Sequence, residues 1–253
     1  MKLISLQSGS NGNCIYVEAG DRKLLLDAGI AAICAEDRLA AHGRDIHDVD
    51  ALIISHDHAD HARCIGVYQR KFGLPVCVSK ATLAAARRHK LGDLREVRPF
   101  CPGRAIRFGD VTVETIRTPH DGADGAVFVV DDGDSRLGIL TDLGHVFDGL
   151  ADVIASLDAV LIESNYDPHR LAGGPYPRAL KERIRGDGGH LANEESAKLL
   201  AGSAQGLRWA CLGHLSEANN TPALAMSAHR TVVGEKLPLH LAGRYEASDV
   251  LEV

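Results

Sequence analysis

The sequence predicts an α/β protein in which two sheets pack together, helices lie outside them, and a functional site runs along one edge. Three observations lead there. Apolar segments of strand length alternate with amphipathic segments of helical length in both halves of the chain. Residues that carry chemistry fall at the ends of those apolar segments: Asp27 after Lys23–Leu26, a histidine cluster after Ala51–Ile54, and His120 after Val111–Ile116. Asp142, Glu163 and His214 end three more, Arg136–Leu140, Asp158–Ile162 and Leu207–Leu212. Finally, 253 residues with a hydrophobic fraction of 45% suffice for a sizeable core. We expect a single domain over 1–253 built from two pseudo-equivalent halves, with the boundary near 140–150.

The densest stretch is Ser55-His56-Asp57-His58-Ala59-Asp60-His61. Burying such side chains without partners is heavily penalised, whereas a divalent ion turns them into ligands. His56 and His58 are two apart, so in an extended segment their rings point the same way and can close on one ion. Asp60 and His61 follow where an expected helix, Ala59 to Phe72, begins, and can reach a second ion. Two metals in one pocket is the expectation; a solvated, histidine-rich turn is the alternative.

Composition narrows the function classes. No run approaches the ~18 apolar residues of a membrane helix, and Met1–Leu6 is too short an apolar start for a signal peptide, so a cytoplasmic protein with no membrane partner is expected. The six cysteines are scattered with no CxxC pair, which fits free thiols in a reducing compartment. A net charge of −6 argues against a protein that coats nucleic acid non-specifically, yet leaves room for a local basic groove.

The remaining elements follow in order. Lys2–Leu6 and Cys14–Glu18 read as strands around the small-residue turn Ser8–Asn13, which either lets a substrate approach main-chain amides or is simply a tight connection. Gly20-Asp21 closes a hairpin onto Lys23–Leu26, and Ala31–His42 reads as a helix stopped by Gly43. Pro75–Ser79 is strand-like and Lys80–Lys90 helical, with Arg87-Arg88-His89-Lys90 read as cations suited to a helix C-terminus in preference to the alternative, a nucleic-acid patch. Arg95, Arg98, Arg104 and Arg107 are the candidate phosphate-tracking surface. Gly125–Val130 and Arg136–Leu140 form a hairpin around a solvated acidic turn, and Asp148–Ser156 a helix. Asn165–Pro177 reads as a long loop suited to a lid, followed by helices over Arg178–Arg185 and Asn193–Ala204. Thr221 and Pro222 cap a closing helix whose apolar face can pack internally or against a partner, which is compatible with an oligomer.

The His-x-His-x-Asp-His pattern after a buried strand resembles the metallo-β-lactamase superfamily over essentially the whole chain. Leu6–Asn13, Leu25–Gly29 and Leu161–Asp167 are similar to the YycJ (WalJ) group of exonucleases within it. The resemblance implies a four-layer αβ/βα sandwich. It implies that His120 completes a three-histidine site with His56 and His58, that Asp142 bridges both metals, and that His214 completes the second with Asp60 and His61. Asp27 supports the ligands from behind, and His145, present in some branches only, is read as a surface or supporting histidine. Ribonuclease-type relatives pair a glutamate with a histidine here, so Glu163 would orient His190 and the imidazole would protonate the leaving oxygen; Asp60 is counted with them as catalytic. A carboxylate raises an imidazole's pKa and fixes its tautomer, as a general acid near neutral pH requires. The alternative makes Glu163 a surface acid and His190 a helix-entry residue.

The implied activity is two-metal hydrolysis of phosphodiesters, a metal-bridged hydroxide attacking phosphorus, with DNA as substrate and 5′–3′ exonuclease polarity drawn from the resemblance alone. Zn²⁺ and Mn²⁺ both suit mixed histidine and carboxylate ligands. Two other readings remain open: a phosphodiesterase for cyclic nucleotides or sugar phosphates, favoured slightly by an aromatic content of 4%, and a silent metal-binding module. The chain departs from relatives at Ala192, where they tend to carry serine. Asp142 to His214 leaves room for only one short insert, which implies a compact enzyme acting on DNA or short substrates.

Overall fold

Successive side chains of a strand face opposite ways, and along most strands of this chain both faces are apolar. The computed structural model, which describes residues Met1–Val253, shows where each set goes. The first sheet contains β1 (Lys2–Gln7), β2 (Cys14–Ala19), β3 (Arg22–Leu26), β4 (Ala51–Ile53), β5 (Val76–Ser79) and β6 (Val97–Phe100), laid side by side in that order. The second contains β7 (Ile106–Phe108), β8 (Val111–Arg117), β9 (Ala126–Asp131), β10 (Arg136–Leu140), β11 (Ala159–Glu163), β12 (Trp209–Gly213) and β13 (Leu239–Leu241), again in sequence order. A last strand, β14 (Leu251–Glu252), returns to the first sheet beside β1.

Side-chain parity then builds four layers. Leu24, Leu26 and Ile53 face inward and meet Phe128, Val130, Ile139 and Leu161 of the other sheet in a shared central core. Leu25, Leu52 and Ile54 face outward against α1 (Ala32–Ala41) and α3 (Ile65–Phe72). Val127, Val129, Val160 and Ile162 do the same on the far side, under α5 (Leu150–Ala155), α8 (Asn193–Ser203) and α9 (Pro222–Val233). This is an α/β/β/α sandwich. No helix is long and apolar enough to cross a membrane, and all six cysteines are free.

Strands β3 to β6 run parallel, as do β10 to β13. Their carboxyl ends share one edge of the sandwich, the position where open α/β sheets offer a crevice to ligands. The chain changes sheet between Phe100 and Ile106, earlier than the 140–150 boundary read from sequence, because an antiparallel meander, β7 to β10, precedes the parallel strands of the second sheet.

Three segments differ from their sequence reading. The helix expected over Ala59–Phe72 is broken into α2 (Ala59–Ala62) and α3: the His61 carbonyl accepts from Ala28 N at 2.7 Å, so it is withdrawn from a continuing helical ladder, and Cys64 N turns to Ala28 O at 3.0 Å. The loop expected over Asn165–Pro177 contains a helix, α6 (Pro168–Gly173), whose cap Asp167 accepts from Arg170 N at 2.8 Å with Pro168 at the first position. The helix from Lys80 ends early, as α4 (Lys80–Ala86), and a single 3₁₀ turn carries Arg87–His89.

Candidate metal centre

The site is assembled where strands give out. Asp27, Asp142 and His214 each follow a strand and each has a left-handed backbone, with φ of 67°, 58° and 55°. For non-glycine residues that conformation costs of order 1–3 kcal/mol and persists only where surrounding structure enforces it. Here the left-handed step places three polar side chains at the common edge, against the Ser55–His61 loop that leaves β4.

Four groups of candidate ligands form there: His56, His58 and His120; Asp60, His61 and His214; His56, His61 and Asp142; and Asp142, Glu163, His190 and His214. Asp142 lies between the others, with Oδ2 3.2 Å from His61 Nε2 and Oδ1 3.4 Å from His120 Nε2 and 3.5 Å from His214 Nδ1. Asp60 Oδ2 is 3.5 Å from both His61 Nε2 and His214 Nε2.

Each imidazole is fixed through its other nitrogen. His61 Nδ1 lies 2.7 Å from Asp27 Oδ2, His56 Nδ1 2.9 Å from Ser55 Oγ, and His120 Nδ1 2.8 Å from Gly189 O. His58 turns the opposite way, with Nε2 at Asp121 Oδ1 (3.2 Å) and Nδ1 inward at His120 Nε2 (3.2 Å). His214 Nδ1 is 3.0 Å from Glu163 Oε1. Carboxylates and carbonyls behind imidazoles hold ring orientation and tautomer in metal sites.

The inward atoms test whether a metal fits. His56 Nε2, Asp142 Oδ2 and His214 Nε2 are buried and make no hydrogen bond. Leaving such groups unsatisfied costs about 1–3 kcal/mol each; His56 shares a candidate ligand group with Asp142, and Asp142 shares another with His214, and nitrogen and oxygen donors grouped in this way suit divalent cations. The residues present fit the metals that the sequence led us to expect.

Charge is strongly polarised across the centre. Burial pushes His56 well below its ordinary range, and the neighbouring imidazoles of His61 and His120 act in the same direction. Burial also opposes the His214 cation, but Asp142, Asp60 and Glu163 outweigh it and lift the imidazole to about 10. Glu163 shows the counterpart: burial works against its carboxylate, yet His190 and His214 hold it at about 2.

Glu163 is fully buried at the end of β11, and its Oε1 lies 2.8 Å from His190 Nδ1 as well as beside His214. Its Oε2 accepts from Leu143 N (3.2 Å) and Leu191 N (3.0 Å), so the carboxylate has no freedom to turn away. His190 borders the cavity that contains Asp60 and Asp142, whereas Glu163 lies behind it. His145 lies apart, exposed, with Nδ1 2.8 Å from Asp187 O.

Several residues at the centre had no role assigned from sequence. Asn13 is buried in the Ser8–Asn13 turn and places Nδ2 2.9 Å from His61 Nε2, while Ser8 Oγ accepts from His214 N at 2.9 Å. That turn therefore contacts both halves of the site. Asp57, also buried, accepts from Ala123 N at 2.6 Å and pairs with Arg88 at 2.5 Å, tying the His56–His58 loop to the His120 loop. Arg88, His89 and Arg183 line the same cavity as the metal-binding candidates. Arg88 and His89 stand in the turn that ends α4, as read from sequence, and are also part of the site wall. Arg95, Arg98, Arg104 and Arg107 do not line that cavity, and Arg98 is paired with Glu96. Only spacing of charges was available from sequence, and partners such as Asp57 and Arg88 come from separate elements.

A fold of this kind with this centre places the chain in a known class: residues 8–187 match the metallo-β-lactamase superfamily, and the chain belongs to it. It is 36% identical over 234 residues to exodeoxyribonuclease WalJ of Streptococcus pneumoniae, covering 91% of this chain and 86% of that protein. It is 35% identical to exodeoxyribonuclease YycJ of Bacillus anthracis, covering 91% and 88%. Among solved structures, the metallo-β-lactamase fold protein YhfI from Bacillus subtilis superposes with a TM-score of 0.76 at 19% identity, over 99% of this chain and 98% of that one.

Proposed function

We propose that this protein is a metal-dependent phosphodiester hydrolase that degrades DNA from an end, working as a single domain over 1–253. The observation that carries the reading is Glu163 holding His190 beside Asp142, in one of the four groups of metal-binding candidates and joined to the others through Asp142 and His214. The similarity to two exodeoxyribonucleases over most of the chain supports DNA as the substrate. We assign His56, His58 and His120 to one ion, Asp60, His61 and His214 to a second, and Asp142 to both, with Zn²⁺ or Mn²⁺ as the metal. Bound there, two divalent ions supply an activated water and neutralise charge developing at phosphorus.

The protein's own groups do the rest. Asp27 and Glu163 anchor His61 and His214 from behind, so the ligand set is held in place before substrate arrives. His190, oriented by Glu163 and open to the cavity, delivers a proton to the departing oxygen. The free cysteines suit a reducing, cytoplasmic setting.

The test is a time course on duplex DNA labelled at the 5′ or 3′ end, with Zn²⁺- or Mn²⁺-loaded protein and Asp142→Ala alongside. Metal-dependent release of mononucleotides from one end, lost in the variant, is the expected result and would show the polarity, 5′–3′ on this reading. Intact DNA in both metals, with a small diester still cleaved, would refute it.

A further inference from the structure

Two arginines at the cavity wall are left over once ligands and proton donor are assigned. Arg88, in the 3₁₀ turn after α4, and Arg183, in α7 (Arg178–Arg185), come from opposite halves of the chain yet border one cavity of about 440 Å³ with Asp60, Asp142 and His190. Two guanidinium groups at one mouth repel each other unless each is neutralised, and here each has its own aspartate. Arg88 donates from Nη1 to Asp57 Oδ2 (2.5 Å) and from Nη2 to Asp57 O (3.1 Å). Arg183 donates from Nε and Nη2 to the two oxygens of Asp121, at 2.6 and 2.9 Å.

Those contacts fix the guanidinium planes without exhausting them. Arg183 keeps Nη1 and Arg88 keeps Nε without a protein partner, and the two side chains remain 49% and 53% exposed. Asp121 in turn touches His58, and Asp57 lies between His56 and His58, so both arginines sit on the His58 side of the centre. A single phosphate at the metals has its charge met by the ions. Further oriented donors a short way along the wall are useful to a substrate that carries another phosphate, whose binding can then be used to align the reacting one.

We propose that Arg88 and Arg183 hold the phosphate next to the scissile one, and that this grip selects a polynucleotide strand over an isolated diester. The proposal rests on the phosphodiester-hydrolase reading above and adds to it the part of the substrate that lies beyond the reacting group.

The test compares the metal-loaded full chain with Arg183→Gln and Arg88→Lys on a single-stranded DNA oligonucleotide and on bis(p-nitrophenyl) phosphate. Arg88→Lys keeps a cation for buried Asp57 while removing the planar fork. In Arg183→Gln, kcat/KM on the oligonucleotide falls tenfold or more, with KM carrying the loss, and the oligonucleotide-to-diester selectivity falls with it. The slope of log KM against log salt shrinks by ~0.7, the value of one lost phosphate contact on a single strand. Arg88→Lys shows a smaller loss of selectivity. An unchanged selectivity ratio in both variants would reduce the arginines to braces for Asp57 and Asp121 and overturn the proposal. A wild-type chain that cleaves the diester but leaves the oligonucleotide intact would overturn the nuclease reading, and this proposal with it.

Discussion

His190 and Asp142 are neighbours, yet replacing them should have different consequences. Asp142 is buried and central to the ligand groups, so Asp142→Ala is expected to remove both bound metal and turnover. His190 borders the cavity and is held by Glu163, so His190→Ala should retain the metals, measured by elemental analysis, and slow hydrolysis by ~10²–10⁴, the usual contribution of a general acid. Full activity in His190→Ala would remove its assigned role. Asp142 was visible in the sequence because it follows an apolar strand, where a carboxylate has no packing purpose, whereas His190, which comes after a helix and two glycines, was singled out only through the family resemblance. Asn13, Ser8 and Asp57 were not visible, because their partners lie far along the chain: Asn13 meets His61 and Ser8 meets His214. Turn-forming residues look alike in sequence whether they only turn the chain or also brace a site.

Among the elements, the join between the β3 exit and α2 controls the geometry of the ligand loop. A Cβ on Gly29 would sit 1.6 Å from the Asp60 carbonyl oxygen and 2.7 Å from Asn13 N, both backbone atoms that cannot step aside. Gly29→Ala should therefore push α2 outward and displace Asp60 and His61. The expected outcome is a loss of at least ~1–3 kcal/mol in urea unfolding together with reduced metal content; an alanine variant with wild-type stability and metal would contradict the close packing. This join also explains where sequence reading of elements stopped. The long strands and α9 with its Thr221 cap were legible, since Thr221 accepts from Leu224 N as its position suggests. The break between α2 and α3 was not, because the competing bond from Ala28 N to the His61 carbonyl comes from another element. Strands β13 and β14, of 3 and 2 residues, are too short to show a period.

For the whole molecule, metal and proton compete for the same atoms, and that competition sets how stability depends on pH. In the metal-free protein His214 is lifted to about 10, since Asp142, Asp60 and Glu163 outweigh the burial that opposes its charge. A group whose pKa is raised by folding stabilises the fold fully below its unfolded pKa, about 6.5 for histidine, and loses that contribution as pH rises toward the folded value. Metal-free protein should thus become less stable between about pH 6.5 and 10 on account of His214. The metal-bound protein should run the other way, because ligands must be deprotonated to bind and affinity rises with pH. At free metal about 100 times the dissociation constant, each site contributes about 2.7 kcal/mol, which for a chain of this size raises Tm by ~5–11 °C. The difference in Tm with and without a chelator is therefore expected to widen as pH is raised from 6.5 to 9. Thermal unfolding of the same preparation across that range checks it: a gap that stays constant or narrows would mean that His214 does not exchange a proton for a metal ion, and the ligand set would have to be redrawn without it.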